Sequence, residues 1–238
     1  MNEARDGGVF ARLLSVVRGG PDGPATPKRV RGDHVYLGGP DLGSARHLVL
    51  ALHDYGETKS QLRKELPMPK AAGYFALPAP YRVKNRVGFS YFNHHPHAPS
   101  EAQLEAAVDR LETSVQYLHD YAQQLTLVGY GQGAAVVLHA LLTRSLPIDG
   151  AAVLGNAKPV VSRGRVTCNA NIFLATGPSE ADAIRSARLR LTLEASEYRV
   201  FEHRELPNAS SRTTLRALHR WIRATQGRRT SGFRLKTK

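Results

Sequence analysis

The stretch LVGYGQGAAV, residues 127–136, joins an apolar segment to an alanine-rich segment through glycines at positions 129, 131 and 133. The preceding residues LTLV are typical of a buried strand, and AAVVLHALL after the turn is typical of a buried helix. A strand–turn–helix unit of this kind serves either as a phosphate cradle or as the sharp turn that carries a catalytic nucleophile. The rest of the chain has to decide between the two interpretations.

Strand and helix patterns alternate on both sides of this turn. Before it, strands are predicted within residues 46–56 and 73–80, and Ser100 with Gln103 forms a capping-box pattern that opens a long helix. After it come strands at 151–154, 171–175 and 197–201, with helices over 132–143, 181–194 and about 210–226. This alternation predicts an α/β fold with a mostly parallel sheet between helices.

The length and charge of the chain limit its organisation. We expect a flexible basic arm over residues 1–33, one domain over 34–226 and a basic tail over 227–238. The formal net charge is +13, and the single Cys168 excludes a disulfide within the chain. No segment has the length of a transmembrane span and no secretion signal is evident. The expected location is the cytoplasm or a macromolecular assembly.

The cradle interpretation rests on a partial dinucleotide-binding fingerprint. Gly129, Gly131 and Ala134 satisfy G-x-G-x-x-G/A after a strand, and Asp149 lies twenty residues beyond Gly129. However, Asp149 precedes the next predicted strand instead of ending it, and the motif does not lie in the first βα unit. A dinucleotide-binding protein is therefore the third interpretation in order of preference.

The nucleophile-elbow interpretation accounts for more of the chain. Gly129 and Gly133 occupy the flanking positions of a G-x-S-x-G elbow, and Gly131 stands where the serine belongs. Together with HLVLALHDYGE, FALPAP, GFSYFN and IDGAAVLGNAKP, this elbow resembles the phospholipase/carboxylesterase group of α/β-hydrolases, which includes acyl-protein thioesterases. The resemblance covers about residues 46–224 and implies the α/β-hydrolase fold. Asp54 replaces the glycine expected in the family's HG-x-G loop.

The same resemblance implies a degenerate Ser–Asp–His triad. The serine position is Gly131, the acid position is Asp182 with Glu180 as second choice, and LPNASS places Ser210 or Ser211 in the histidine position. Without a nucleophile and a base, acyl transfer of this type is not possible. We therefore expect a catalytically inactive, esterase-like protein that acts as a binding or structural module.

Two further expectations follow from the resemblance. The backbone N–H groups of Tyr55 and Gln132 occupy the positions of the oxyanion-hole donors, so they are candidate ligand-binding groups. The alternative function is an active carboxylesterase or thioesterase that uses displaced residues, for example a nearby serine with His203.

Histidines near the predicted cleft are weak metal candidates. The residue types suit zinc, but no helical i,i+4 pair is present, and HHPH is typical of a polar loop. We therefore expect neither a metal nor a cofactor. The candidates are His53, His94, His95 and His97.

The last predicted helix separates an apolar arc from a basic one. The apolar arc contains Leu215, Leu218, Trp221 and Ile222, and should pack on the sheet. The basic arc should face outward, and it continues into the basic tail. We therefore expect an anionic partner, which could be nucleic acid, anionic lipid or an acidic protein surface. The expected setting is a larger assembly such as a virion or ribonucleoprotein particle. The candidate anion-binding residues are Arg212, Arg216, Arg220, Arg223, Arg228 and Arg229.

Overall fold

A computed structural model of the protein describes residues 34–84, 86–93, 98–155, 170–204 and 211–225. The predicted arm and tail lie outside these residues. The strands are β1 (Val35–Gly38), β2 (His47–Leu52), β3 (Gly73–Ala76), β4 (Tyr81–Arg82), β5 (Phe89–Ser90), β6 (Gln124–Tyr130), β7 (Gly150–Leu154), β8 (Asn171–Ala175) and β9 (Arg199–His203). The helices are α1 (Lys59–Glu65), α2 (Glu101–His119), α3 (Gln132–Thr143), α4 (Glu180–Ala195) and α5 (Arg212–Thr225).

Seven strands form one sheet in the order β1-β3-β2-β6-β7-β8-β9. Strand β1 is antiparallel to β3, and the remaining neighbours run parallel to one another. Strands β4 and β5 form a separate small hairpin. Strands β2 and β7 are buried along their whole length, and β6 between them is buried except at its two end residues, as expected for a parallel sheet covered on both faces. The predicted fold class is therefore confirmed.

Two apolar clusters separate the helices into layers on opposite faces of the sheet. One cluster holds residues of α2, α3 and α4, including Leu111, Val137 and Leu193. The other holds residues of α1 and α5, including Leu62 and Leu218. Burial of these faces is the main stabilising contribution expected of a parallel α/β sandwich.

The local signals read from the sequence act as expected in α2 and α5. The side chain of Ser100 accepts a hydrogen bond from the backbone N–H of Gln103, and the Gln103 side chain accepts one from the backbone of Ser100. In α5, Leu218, Trp221 and Ile222 are buried, so the predicted apolar arc does pack on the sheet.

The structure also contains elements that the sequence patterns did not predict. Helix α1 was not predicted, although Thr58 and Gln61 form a complete capping box at its start. Strand β9 begins two residues after the predicted start because Glu197 takes a positive φ of 66° in a turn. Tyr198 is buried there, and its hydroxyl donates to the Leu141 carbonyl at 2.6 Å. None of the helices in the described ranges is both long enough and apolar enough to cross a membrane.

Candidate functional site

The glycine turn at residues 129–133 forms a sharp elbow between β6 and α3. Gly131 is the residue that precedes the helix, with φ 53° and ψ −111°. Its N–H donates to the Leu154 carbonyl at 3.0 Å, and its own carbonyl accepts from Ala134 at 3.1 Å. A residue other than glycine in such a conformation costs about 1–3 kcal/mol. Glycine adopts this conformation without that cost, and the two backbone hydrogen bonds hold it there.

A close approach to β2 brings a second loop to the elbow. The N–H of Gly133 donates to the His53 carbonyl at 3.1 Å. A Cβ atom at Gly133 would overlap Leu52, so glycine is required for this approach. As a result, His53 and Asp54 lie directly beside the first turn of α3.

Asp54 places its carboxylate at the elbow. Its Oδ1 atom accepts hydrogen bonds from the backbone N–H groups of Gln132 and Tyr55, both at 2.7 Å. These are the two donors that the sequence indicated as oxyanion-binding groups, and they converge on one point as an oxyanion hole requires. The acceptor at that point is a side chain of the protein itself.

The Asp54 carboxylate also fills the space where a side chain at position 131 would begin. A Cβ atom added to Gly131 would overlap the carboxyl carbon and both carboxylate oxygens of Asp54. The two residues are therefore complementary in shape. Any side chain at position 131 requires Asp54 to move away from the two N–H donors.

Solved structures with the same architecture include several esterases. The carboxylesterase of Bacillus cereus is 16% identical, with a TM-score of 0.64, over 81% of this chain and 93% of that one. The carboxylesterase of Mesorhizobium loti is 18% identical, with a TM-score of 0.62 and coverages of 76% and 91%. A phospholipase/carboxylesterase of Dyadobacter fermentans is 18% identical, with a TM-score of 0.59 and coverages of 81% and 96%.

This chain has the α/β-hydrolase fold. No protein-family model and no curated protein sequence matches it. At identities below one fifth, the structural similarity establishes the fold and leaves the chemistry to be argued from the residues of the site.

The triad positions of the α/β-hydrolase fold are not brought together by any contact among the described residues. The Asp182 carboxylate accepts from the Ser179 hydroxyl at 2.6 Å and from Arg185 at 3.0 Å, so it is bonded to its own helix. Ser211 shares a hydrogen bond of 2.7 Å with Thr213 at the start of α5. Glu180 is exposed. Ser210 lies outside the described residues.

His203 lies too far from the elbow to serve as its base. In the sheet register, His203 of β9 pairs with Ala175 of β8, and Ala175 pairs with Leu154 of β7. Leu154 pairs with Tyr130, which precedes the elbow at the end of β6. Three strand spacings of about 4.8 Å separate His203 from Tyr130, roughly 14 Å in all. Its ring stacks on Phe173, with 6.0 Å between ring centroids.

A second carboxyl group, that of Glu57, contacts the backbone of Asp54. The Asp54 N–H donates to Glu57 Oε2 at 3.0 Å. Burial, with the nearby negative charges of Glu65 and Asp54, raises the pKa of Glu57 from 4.5 to about 7. A second carboxyl group therefore lies next to the elbow and holds a proton up to near neutral pH.

His53 is buried beside the elbow, where its side chain is bonded to the backbone of the next residue. Its Nδ1 donates to the Asp54 carbonyl at 2.7 Å, and burial lowers the pKa of its imidazole. Its ring contacts that of Tyr91. The other weak metal candidates, His94, His95 and His97, lie outside the described residues. Within those residues, no three side chains of metal-binding type come together.

Asp149 lies at the wrong end of the sheet for a dinucleotide-binding role. Its carboxylate accepts from the N–H of Leu125, near the amino end of β6, at 2.8 Å. Gly129 and Gly131 lie at the carboxyl end of the same strand. The acidic residue and the glycine turn are therefore separated by the length of the strand, which argues against the cradle interpretation.

The predicted arginines of α5 are exposed and form no ion pair with any described carboxylate. They are Arg212, Arg216, Arg220 and Arg223. Arg228 and Arg229, which the sequence adds to this set, lie outside the described residues.

The role of Asp54 at the elbow is the site feature that sequence reasoning missed. The available signal was a pair of departures from the family pattern: Asp54 in place of a glycine and Gly131 in place of the serine. Considered separately, the two look like independent losses. In the folded chain they are adjacent, and each makes room for the other.

Proposed function

We propose that this α/β-hydrolase-fold protein is not a catalyst and acts as a binding module for an anionic partner within a larger assembly. The observation that carries the first half is the position of Asp54 Oδ1, which accepts from the Gln132 and Tyr55 N–H groups. Acyl transfer requires that pair of donors to be open to the substrate oxygen.

An internal carboxylate opposes acyl transfer for two physical reasons. It occupies the donors, and its negative charge repels the negative charge that develops on the substrate oxygen in the transition state. Removal of one oxyanion donor from a serine hydrolase lowers kcat by about 10²–10³. Here both donors are occupied, and Gly131 supplies no nucleophile.

An active esterase with displaced residues is less well supported by the geometry. Such an enzyme needs a hydroxyl and an imidazole in hydrogen-bond contact and open to substrate. His47 and Thr126 form one such pair at 2.9 Å, but both side chains are buried near the amino ends of their strands. Burial also lowers the pKa of His47 to about 4, so its imidazole is a weak base.

Hydrolysis of p-nitrophenyl acetate tests the non-catalytic half. We expect no turnover above the buffer rate for the wild type, for Gly131→Ser, or for Asp54→Gly combined with Gly131→Ser, because no base accompanies the new hydroxyl. Labelling by a serine-directed phosphonate is measured in parallel. Turnover that persists through purification and is abolished by the phosphonate in the wild type would overturn the proposal.

The binding half rests on the exposed arginines of α5 and on the formal net charge of +13. Like-charged side chains without carboxylate partners attract anions over roughly a Debye length. Retention of the protein on a polyanion matrix at 0.15 M salt is the first test. The same protein with Arg216 and Arg220 replaced by glutamate is compared with the wild type. If both elute at the same salt concentration, α5 does not contribute to anion binding.

A further inference from the structure

We infer that α1, the loop after it and α5 form one basic surface that docks on the phosphate backbone of a nucleic-acid duplex. This inference rests on the anion-binding half of the proposed function and names its partner. The surface, called the α1/α5 basic surface below, consists of Arg63, Lys64, Lys70, Arg212, Arg216, Arg220 and Arg223, all of which are exposed.

The arginines of α5 form a straight row. At 3.6 residues per turn, Arg212, Arg216, Arg220 and Arg223 fall within an arc of about 80°, and they extend over about 16 Å of the helix axis. The opposite side of the helix is fixed by the burial of Leu218 and Ile222 against the sheet. The row is therefore presented by a rigid element.

A hydrogen bond joins this row to the loop after α1. His219 Nε2 donates to the Pro67 carbonyl at 2.6 Å. Pro67 lies between Lys64 and Lys70, and His219 lies one turn from Arg216 and Arg223 on the same helix. Because α1 and α5 also share one apolar cluster, the two sets of cations belong to the same face of the protein.

The charge of this face is almost entirely positive. Residues 59–72 and 211–225 contain one acidic residue, Glu65, and its carboxyl is hydrogen-bonded to Glu57. On the opposite layer several cations are neutralised locally: Arg144 pairs with Glu105, and Arg190 pairs with Glu194, although the exposed Arg188 of α4 pairs with no described carboxylate. The positive field is thus a property of one face and not of the composition alone.

The described residues of α1, its loop and α5 have no exposed large apolar side chain. This feature distinguishes between a membrane, a single strand and a duplex as the anionic partner. Among the described residues, the exposed large apolar side chains include Tyr81, Ile184 and Leu191, and none lies in residues 59–72 or 211–225. A membrane-binding helix needs apolar side chains to insert. A single-strand binder needs aromatic rings on which bases stack. Phosphate contacts need neither.

The dimensions of the row suit a duplex. Each strand of a duplex carries a phosphate about every 3.4 Å along the duplex axis, so a row of arginines about 16 Å long matches a length of axis that holds about five phosphates per strand. Such contacts position a protein on nucleic acid without reading its sequence. We therefore expect binding that is independent of sequence and strongly dependent on salt.

The test is fluorescence anisotropy with labelled 24-base-pair DNA and RNA duplexes at several salt concentrations. Arg220→Glu is compared with Arg188→Glu, which changes an exposed arginine of α4 that pairs with no described carboxylate and alters the net charge equally. We expect Arg220→Glu to weaken duplex binding at least tenfold and to flatten the salt slope by about 0.9. Arg188→Glu should stay within twofold of the wild type.

A second variant tests the α1 side of the surface. Lys64→Glu with Lys70→Glu should also weaken duplex binding at least tenfold, although neither residue lies in α5. Equal effects of Arg188→Glu and Arg220→Glu would overturn the inference, because net charge alone would then explain binding. An unchanged affinity in the Lys64→Glu, Lys70→Glu variant would also overturn the composite surface.

Two further titrations distinguish a failure of this inference from a failure of the proposed function. The same variants are titrated with phosphatidylserine vesicles and with a single-stranded 24-mer. Arg220-dependent binding to vesicles but not to duplexes would overturn the duplex inference while supporting an anionic partner. Ester turnover, measured on the same preparations, tests the non-catalytic proposal independently, and loss of duplex binding has no bearing on it.

Discussion

Two regions of this protein present hydrogen-bond donors of the kind that bind anions, and they differ in whether the protein itself supplies the acceptor. At the elbow, two backbone N–H groups at the start of α3 meet the carboxylate of Asp54 at 2.7 Å. On α5, four exposed arginines meet no described carboxylate. The anion site typical of the hydrolase fold is filled from within, and the unfilled positive charge lies on the face formed by α1 and α5.

The difference follows from the chemistry of the donors. Backbone N–H groups at a helix start remain whatever the side chains are, so burying them requires an acceptor. Asp54 supplies one at the position that the resemblance to the hydrolases assigns to the oxyanion. Arginine side chains on a surface are solvated and need no internal partner. The buried N–H groups at the elbow therefore need the internal acceptor that Asp54 supplies. The exposed arginines of α5 need none and remain accessible to an external anion.

The largest expected effect is on the α1/α5 basic surface. Replacing Arg212, Arg216, Arg220 and Arg223 by glutamate should lower duplex affinity at 0.1 M salt by about a thousandfold, because four phosphate contacts are lost. The matched variant carries lysine at the same four positions, and it should retain most of the affinity. Anisotropy titration measures both. Similar losses in the two variants would mean that charge is not what binds.

A smaller effect, on stability, is expected at the elbow. Gly131→Ala should lower the free energy of unfolding by about 2–4 kcal/mol, from backbone strain and from displacement of the Asp54 hydrogen bonds. Adding Asp54→Gly should recover about 1–2 kcal/mol of that loss because the overlap disappears. Urea unfolding of the two single variants and the double variant measures this coupling. Strictly additive effects would show that Asp54 does not occupy the space at position 131.

A third expectation concerns pH. The pKa of Glu57 is raised to about 7 in the folded state, so its contribution to stability is complete below its ordinary value of 4.5 and is lost as pH rises through about 7. Glu57→Gln should therefore reduce the loss of stability between pH 5 and pH 8 by about 1–2 kcal/mol, after allowance for solvent screening. Urea unfolding at both values checks this, and identical pH dependence in the two proteins would contradict it.

The smallest effect is expected where the two parts of the basic surface meet. His219→Ala removes the hydrogen bond to the Pro67 carbonyl and should lower the free energy of unfolding by about 0.5–1.5 kcal/mol. Duplex affinity should fall by threefold or less because no phosphate-binding cation is removed. Thermal unfolding and anisotropy measure the two effects. A loss of affinity as large as that of Arg220→Glu would mean that His219 itself contacts the duplex.

Much of the fold was predictable because its signals are local. The capping box at Ser100, the apolar spacing of α2 and the buried strand runs each depend on neighbouring residues. Helix α1 has a capping box of the same kind, at Thr58, but it is only seven residues long and buries only Leu62. A helix that short gives little periodicity in the sequence.

The site was less predictable because its decisive contact is non-local. Position 131 was identified from the elbow pattern, and Tyr55 and Gln132 from the resemblance to the hydrolases. The hydrogen bond from Gln132 to Asp54 joins residues 78 positions apart, and nothing in either segment alone indicates it. The join between α1 and α5 likewise depends on His219 and Pro67, which are 152 positions apart.

The most direct test of the closed elbow is to follow the backbone amides of Gln132 and Tyr55 by NMR during titration with acetate. Acetate carries the same carboxylate group as Asp54, so it competes for the same two donors. In the wild type we predict no saturable shift of either amide up to about 100 mM acetate. In Asp54→Gly, both amides should shift together and saturate, since the donors are free. A saturable shift of both amides in the wild type would contradict the account, because the site would then be open to external anions.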